Sequence, residues 1–228
     1  MQATTILDAI PYDVDEDLYY KVLRIKPGSE YGHRLAELMS GAREVARPKV
    51  AYRESSIQAL GDDYAILDGV TLTSRVLRDN FAKAKAVFPF IATCGQEIED
   101  WSQSYTDTLE HFWADSLKAA ALGAAAQALE KILRADCQHH PLSCMNPGSL
   151  DDWPLTQHQT IFSLLGDAPR TIGVTLTDHF LLIPLKTISG IYFFAEEHFI
   201  NCQLCPRENC PGRRAPQKIS HPASPLNH

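Results

Sequence analysis

The sequence predicts an α+β fold in which a twisted antiparallel sheet is flanked by helices. Two observations carry this prediction. One long amphipathic helix is expected over Thr108 to Ala135. Strand-like runs then follow one another with short joints from Thr171 to Phe194, and strands joined this tightly pair in antiparallel fashion.

The first third of the chain predicts one helix and several strands. In Tyr31 to Val45 the apolar residues recur at helical spacing, directly after the turn signal Pro27-Gly28-Ser29. We expect strands at 50–52, 64–72 and 86–93, because these runs are short, apolar and rich in β-favouring side chains.

The helix over Thr108 to Ala135 is the clearest element of the sequence. Its apolar side chains trace one broad face, and its many alanines allow another backbone to approach closely. We therefore expect it to pack against a sheet or another helix at the centre of the domain.

The C-terminal half predicts shorter elements. In order, these are a loop over 137–152, a helix over 155–165, strands over 171–176, 179–184 and 187–194, and an irregular tail over 215–228. We divide the chain into an N-terminal α+β part (1–100), a core region (101–200) and a cysteine-bearing tail (201–228).

Composition restricts the classes of function. The 228 residues are 45% hydrophobic, which is enough to fill a sizeable core, and no apolar run approaches the roughly 20 residues of a membrane helix. The formal net charge of −7 argues against a nucleic-acid partner, because phosphate binding needs a basic face. The N-terminus turns acidic where a signal peptide is basic and then apolar, so we expect a cytoplasmic protein.

Two segments carry a resemblance to a known family. The chain reads CMNPGSLDDWPLTQ from Cys144 to Gln157 and DHFLLIPLKTISGIYFF from Asp178 to Phe194. It resembles the activation domain of cobalamin-dependent methionine synthase, in which a loop of the form Arg-Pro-Ala-Pro-Gly-Tyr precedes a segment of the form Thr-Glu-Ser-Phe…Pro…Ser-Val-Ser-Gly…Tyr-Phe. The matching residues are Pro147-Gly148 in the first block and Thr177 to Phe180, Pro184, Ile188 to Gly190 and Tyr192-Phe193 in the second.

The resemblance covers roughly Thr108 to Phe199 and implies a site for S-adenosylmethionine beside a corrinoid-facing sheet. The residues that it places at this site are Gln127, Asn146, Pro147, Gly148, Ser149, Ser189, Gly190, Tyr192 and His198.

Three positions depart from the family's pattern. Cys144 stands where the family has its arginine, Ser149 where it has its tyrosine, and Gln127 where its helix offers an acidic group. An arginine holds a carboxylate with two parallel hydrogen bonds, which a cysteine cannot do. Simple structural roles also remain open for two matched pairs: Pro147-Gly148 as an ordinary turn, and Ser189-Gly190 as a bulge in a strand.

By resemblance, the chain would dock on a corrinoid protein, or on a methionine synthase that lacks its own activation domain. It would there support the reductive reactivation and remethylation of inactive cobalamin. Two alternatives stay open: a binding module that caps or delivers a corrinoid protein without using S-adenosylmethionine, and a metalloprotein that uses the same fold for other chemistry.

A cysteine cluster forms a second chemical feature, which the family lacks. Cys202, Cys205 and Cys210 have the spacing C-x2-C-x4-C, and three thiolates this close can hold a soft metal. Cys144, Cys137 or His198 could supply a fourth ligand. An iron–sulfur cluster, which could deliver the electron for reactivation, a structural zinc ion and metal-free thiols are all compatible with this pattern.

The remaining candidates have structural explanations at the sequence level. His139, His140 and His158 flank a polar loop, where we expect solvated side chains rather than metal ligands. Cys94 follows an apolar strand, so we expect a buried, inert thiol. The sequence contains no Gly-rich phosphate loop, nucleophile elbow or HExxH motif, so it does not support hydrolase or nucleotide-triphosphate chemistry.

Overall fold

A computed structural model describes residues 3–136, 141–196 and 198–205, together with residues 207, 209, 210, 213, 215 and 216. Its helices are α1 (Glu16–Leu23), α2 (Glu30–Val45), α3 (Arg75–Phe81), α4 (Gln96–Ser102), α5 (Thr108–Asp136), α6 (His158–Leu165) and α7 (Ala168–Thr171). Its strands are β1 (Thr5–Leu7), β2 (Lys49–Tyr52), β3 (Ile57–Leu60), β4 (Tyr64–Leu67), β5 (Val70–Thr73), β6 (Ala84–Thr93), β7 (Leu142–Met145), β8 (Thr175–Leu176), β9 (Leu182–Ile183) and β10 (Thr187–Ala195).

A five-stranded antiparallel sheet organises the molecule, with strand order β1-β2-β6-β10-β7. Strands β3, β4 and β5 form a second antiparallel sheet, and β8 pairs with β9 in a third. The central sheet takes strands from both 1–100 and 101–200, so these two parts of the chain share one core. The predicted α+β class, with antiparallel strands and flanking helices, is confirmed.

Both faces of the central sheet are covered. Helix α5 lies against one face, where its Leu129 and Leu133 pack with Phe90 and Tyr192 from the sheet. The other face carries Ile191 and packs against a layer that includes α6 and the second sheet. Residues of the inner strands are therefore buried on both sides, which explains why β6 and β10 read as nearly continuous apolar runs.

Local capping explains where three of the helices begin. The side chains of Asp15, Ser29 and Ser74 each accept a hydrogen bond from a backbone N–H in the first turn of α1, α2 and α3, respectively. The Ser74 hydroxyl also donates to Asp152, and this carboxylate accepts from the Val76 N–H at 3.0 Å. The start of α3 is thereby tied to the loop that follows β7.

A buried ion pair joins the second sheet to the central one. Arg53, directly after β2, donates to the Asp68 carboxylate at 2.8 Å, and the two side chains are only 7% and 11% exposed. Arg53 also donates to the Leu164 carbonyl at the end of α6. One guanidinium therefore links β2, the β4–β5 turn and α6.

The local patterns of apolar residues predicted the main helices and strands well. The helix expected over 31–45 is α2, the one over 108–135 is α5, and the strands expected at 50–52, 86–93 and 187–194 are β2, β6 and β10. These elements combine length with a clear apolar pattern, so the tertiary environment agrees with the local signal.

Several predicted elements were wrong in detail. The strand expected over 64–72 is a hairpin that turns at Asp68-Gly69, and β7 lies inside the expected loop over 137–152. Residues 168–171 are helical, so only the end of the strand expected over 171–176 forms, as β8. The sequence interpretation also missed β1, α1, β3, α3 and α4.

In the part of the chain that the structure describes, no helix is both long enough and apolar enough to cross a membrane.

Candidate functional site

The two segments that carry the resemblance meet where β7 ends beside β10. The Asn146 side chain donates from Nδ2 to the Ser189 carbonyl oxygen at 2.8 Å. A Cβ atom added at Gly190 would lie 2.7 Å from Asn146 Nδ2, 3.1 Å from the Phe90 ring and closer still to the Met145 carbonyl oxygen. The close approach predicted at Gly190 is therefore made by the chain itself, and the register irregularity of β10 falls instead between Phe194 and Ala195.

A C-terminal strap, residues 198–205, covers the outer edge of β7. The Phe199 N–H donates to Ser143 Oγ at 2.8 Å, and Ile200 forms a parallel bridge with Cys144. Asn201 donates from Nδ2 to Asn146 Oδ1 at 3.2 Å. The strap thus protects a sheet edge that would otherwise be open, and it holds Asn146 from the side opposite Ser189.

Two buried oxygen atoms near this junction accept no hydrogen bond within the described residues. They are Ser189 Oγ and Asn201 Oδ1. Buried polar atoms of this kind are normally satisfied by protein groups or by ordered water. The junction between β10, β7 and the strap can therefore accommodate a further hydrogen-bond donor.

On the α5 side of the sheet, Tyr192 and Glu130 form a polar contact. The Tyr192 hydroxyl donates to Glu130 Oε1 at 3.0 Å, and Arg134 lies 3.7 Å from the same carboxylate. Burial raises the pKa of Tyr192 well above its usual range, and the nearby Cys144 and Glu130 act in the same direction. Tyr192 therefore stays a neutral hydrogen-bond donor at every physiological pH.

The sequence interpretation placed the acidic position of α5 at Gln127, but the structure offers Glu130 at the contact with Tyr192. Gln127 is exposed, midway between the buried Ala125 and Leu129, and so it points away from the sheet. A helical-phase argument could have found Glu130, because it directly follows the buried Leu129 and lies three residues before the buried Leu133, beside the apolar face of α5.

The loop after β7 is a tight turn. Gly148 has φ +79°, its N–H donates to the Trp153 carbonyl at 2.7 Å, and the Ser149 N–H donates to the Asn146 carbonyl at 3.2 Å. The positive φ favours glycine at this position, and a Cβ atom there would approach to 2.8 Å of Cγ of the exposed Leu155 side chain, which would have to move aside. Pro147-Gly148 therefore has a structural role, and its predicted contact with a cofactor stays a prediction.

His158 connects this loop region to the β8–β9 hairpin. Its Nδ1–H donates to the Phe180 carbonyl at 2.8 Å, and its side chain is buried rather than solvated, which corrects the sequence-based expectation. Burial lowers the pKa of His158, and the bond to Phe180 opposes this effect only in part. The polar residues next to His158 in the sequence did not predict its burial, because Phe180, which contacts it, lies in a distant segment.

Two exposed apolar side chains flank the contact between His158 and Phe180 along the chain. Leu155 is 43% exposed and packs across Gly148, and Leu181 is 48% exposed directly after the half-buried Phe180. We call Leu155, Phe180 and Leu181 the leucine surface. It combines residues from both segments that carry the resemblance.

The described residues of the cysteine segment contact Arg213. This guanidinium donates to the carbonyl oxygens of Cys202, Cys205 and Arg207, and the Arg213 N–H donates to the Cys210 carbonyl. Within the described ranges, no three His, Cys, Asp or Glu side chains come together in a way that could hold a metal ion. Cys137, His139 and His140 lie outside the described residues.

The predicted site residues therefore separate into three groups. Asn146, Ser189, Gly190 and Tyr192 lie together at the junction of β7 and β10, and three of them, Ser189, Gly190 and Tyr192, are buried. Pro147, Gly148 and Ser149 form the adjoining turn. Gln127 and His198 are exposed, and His198 lies on the strap.

The residues present do not reproduce the charge set that S-adenosylmethionine binding requires by resemblance. The loop offers Cys144, Asn146 and Ser149, none of which is a cation that could hold a carboxylate in a bidentate manner. The position expected to be acidic is an exposed glutamine. We therefore derive no methyl-transfer step through this cofactor.

Cys94 matches its sequence-based interpretation. Its side chain is completely buried, and burial raises the pKa of its thiol to about 12. At neutral pH the group is a protonated, apolar packing element and not a nucleophile.

Comparison with solved structures finds a match over most of the chain. A crystal structure of the MetH reactivation domain bound to AdoHcy superimposes with a TM-score of 0.60 at 15% sequence identity, and the match covers 87% of this chain and 80% of that chain. No protein-family model matches the sequence, and no curated protein matches it either. The chain therefore shares the fold of the MetH reactivation domain.

Proposed function

We propose that this protein docks on a corrinoid protein, or on a methionine synthase without its own activation domain, and supports the reductive reactivation of its cobalamin. The shared fold with the MetH reactivation domain supports this proposal. The observation that carries it for this chain is the leucine surface, because both resembling segments contribute an exposed apolar side chain to it.

The leucine surface has the properties of a docking site. Large apolar side chains that stay exposed together on a soluble protein commonly mark an interface. Leu155 and Leu181 extend from elements that the rest of the fold fixes: Asp152 anchors the loop to α3, and His158 anchors the hairpin. A partner would therefore meet a surface that needs little reorganisation on binding.

Docking and methyl donation are separable in this proposal. The missing arginine and tyrosine favour a second candidate function, a binding module that holds or delivers the corrinoid protein without S-adenosylmethionine. Titration of the protein with S-adenosylhomocysteine separates the two. Saturable binding supports a role in methylation, and the absence of binding supports the module.

Variants of the leucine surface test the docking step. Leu181→Asp and Leu155→Asp place a charge in the centre of the proposed interface and should weaken binding to a cob(II)alamin-loaded corrinoid protein at least about tenfold. Val22→Asp is the matched control, because Val22 is an equally apolar and 67% exposed side chain on α1. Equal affinities for all three variants would contradict docking through this surface.

The cysteine cluster adds an electron-transfer proposal of its own. Its support is the C-x2-C-x4-C spacing alone, because Cys202, Cys205 and Cys210 do not come together within the described ranges and would have to gather around the metal as it binds. Anaerobically purified protein should contain iron and acid-labile sulfide, and Cys205→Ser should abolish reductive activation while docking persists. Colourless protein that contains one zinc ion would make the cluster a structural site.

A further inference from the structure

We propose that a cavity between the end of α3 and the C-terminal strap binds a small, flat organic anion, such as an aromatic carboxylate or phosphate ester. The cavity has a volume of about 390 Å³ and lies apart from the leucine surface. Its polar lining comes from Arg78, Asn80, Lys83, His198 and Gln203. These side chains belong to two elements that the folded chain brings together.

The charge of the lining is opposite to that of the protein. The chain as a whole has a formal net charge of −7, yet among the described residues the cavity combines the guanidinium of Arg78 and the ammonium of Lys83 with a single carboxylate, Asp79. Asp79 already accepts from Arg78 Nη1 at 2.8 Å. One positive charge therefore remains unpaired by Asp79 in this lining, and it attracts anions to the cavity.

Arg78 is held in place before any ligand arrives. Its Nε donates to the Gly61 carbonyl at 2.8 Å, and its Nη1 donates to Asp79. The neighbouring Asn80 is fixed in the same way, because its Nδ2 donates to the Val76 carbonyl at 2.7 Å. Side chains that are already ordered lose little entropy when they bind a ligand.

The apolar part of the lining suits a flat ring. Phe199 lies on one side, and its ring is packed against that of Phe193 with 6.5 Å between the centroids. Ala82 and the buried Ala195 add small apolar surfaces that leave the volume open. Pockets for small molecules typically combine an apolar wall with a few convergent polar groups, as this cavity does.

This inference is independent of the proposed docking function. None of the residues of the leucine surface lines the cavity. Leu181→Asp should therefore leave ligand binding unchanged, and loss of the cavity's ligand should leave docking unchanged. Failure of one proposal can be recognised without reference to the other.

The test uses benzoate and phenyl phosphate as probes, with benzamide as the neutral analogue of benzoate, in titrations followed by NMR. At least one of the two anions should bind with a dissociation constant about fivefold or more below that of benzamide. The same titration should shift the ring resonances of His198, which are assigned by their disappearance in His198→Gln.

Charge-removing variants locate the site. Arg78→Gln should weaken binding of the anion about tenfold. Lys83→Gln should weaken it about threefold, because Lys83 is exposed. Lys85→Gln is the matched control, since Lys85 is also exposed but does not line the cavity. Equal binding of benzamide and both anions, or anion binding that neither Arg78→Gln nor Lys83→Gln changes, would overturn the proposal.

Discussion

Gly190→Ala tests the junction of β7 and β10. The added Cβ would lie 2.7 Å from Asn146 Nδ2 and closer to the Met145 carbonyl oxygen, and neither distance is compatible with a normal contact. The Asn146 side chain could rotate away from the new Cβ, but the Met145 carbonyl oxygen belongs to the backbone and cannot. The two strands must move apart, and the hydrogen bond from Asn146 to the Ser189 carbonyl would be strained or lost.

The expected cost follows from these two effects. Overpacking of a rigid site typically costs 1–3 kcal/mol, and a lost hydrogen bond adds roughly 1 kcal/mol, so the free energy of unfolding should fall by about 2–4 kcal/mol. Urea denaturation followed by tryptophan fluorescence measures this change. It is a substantial part of the stability of a typical domain.

Gly123→Ala is the matched control for this substitution. Gly123 lies within α5, and an added Cβ would meet no heavy atom within 4 Å outside its own helix. Alanine has a higher helix propensity than glycine, so this variant should gain up to about 1 kcal/mol. If Gly190→Ala proved as stable as the wild type, the close packing of β10 against Met145 and Asn146 would be refuted.

Three further predictions concern buried ionisable groups. Asp68→Ala should cost about 3–5 kcal/mol in urea denaturation, because it leaves the buried Arg53 without its carboxylate, whereas an unchanged midpoint would argue against this ion pair. Burial lowers the pKa of His158, so below pH 6.5 the unfolded chain binds more protons and stability should fall as the pH drops; His158→Gln should flatten this dependence. Peptide mapping after iodoacetamide treatment at pH 7 should find Cys94 unmodified until the protein unfolds, because its pKa is about 12.

The sequence predicted the fold best where a local pattern and the tertiary environment agree. Helix α5 repeats its apolar face over eight turns, and β10 is flanked on both sides by strands that bury it. Strand β7 lacks such a signal, because Pro141 and Pro147 surround it and its extended shape depends on pairing with β10. Taken alone, the local sequence of β7 therefore predicts a turn, and the segment becomes a strand only through its pairing with β10.

The site was harder to predict than the fold, because its contacts depend on distant segments. Gly190 was expected to permit a close approach to the backbone, and the group that the structure places there is Met145 of the neighbouring strand. The leucine surface depends on the hydrogen bond between His158 and the Phe180 carbonyl, and no local sequence pattern predicts that bond. The strap over β7 likewise follows from the Ser143 hydroxyl and Asn201, neither of which belongs to a recognisable motif.

The central claim is tested most directly by an anaerobic titration of this protein into a cob(II)alamin-loaded corrinoid protein from the same cell, followed by visible spectroscopy in the presence of a reductant, with and without S-adenosylmethionine. The account predicts a spectral change on docking that Leu181→Asp weakens and Val22→Asp does not. Progress to methylcobalamin only when S-adenosylmethionine is present would establish remethylation as well. A spectrum that this protein leaves unchanged under every condition would contradict the proposed function.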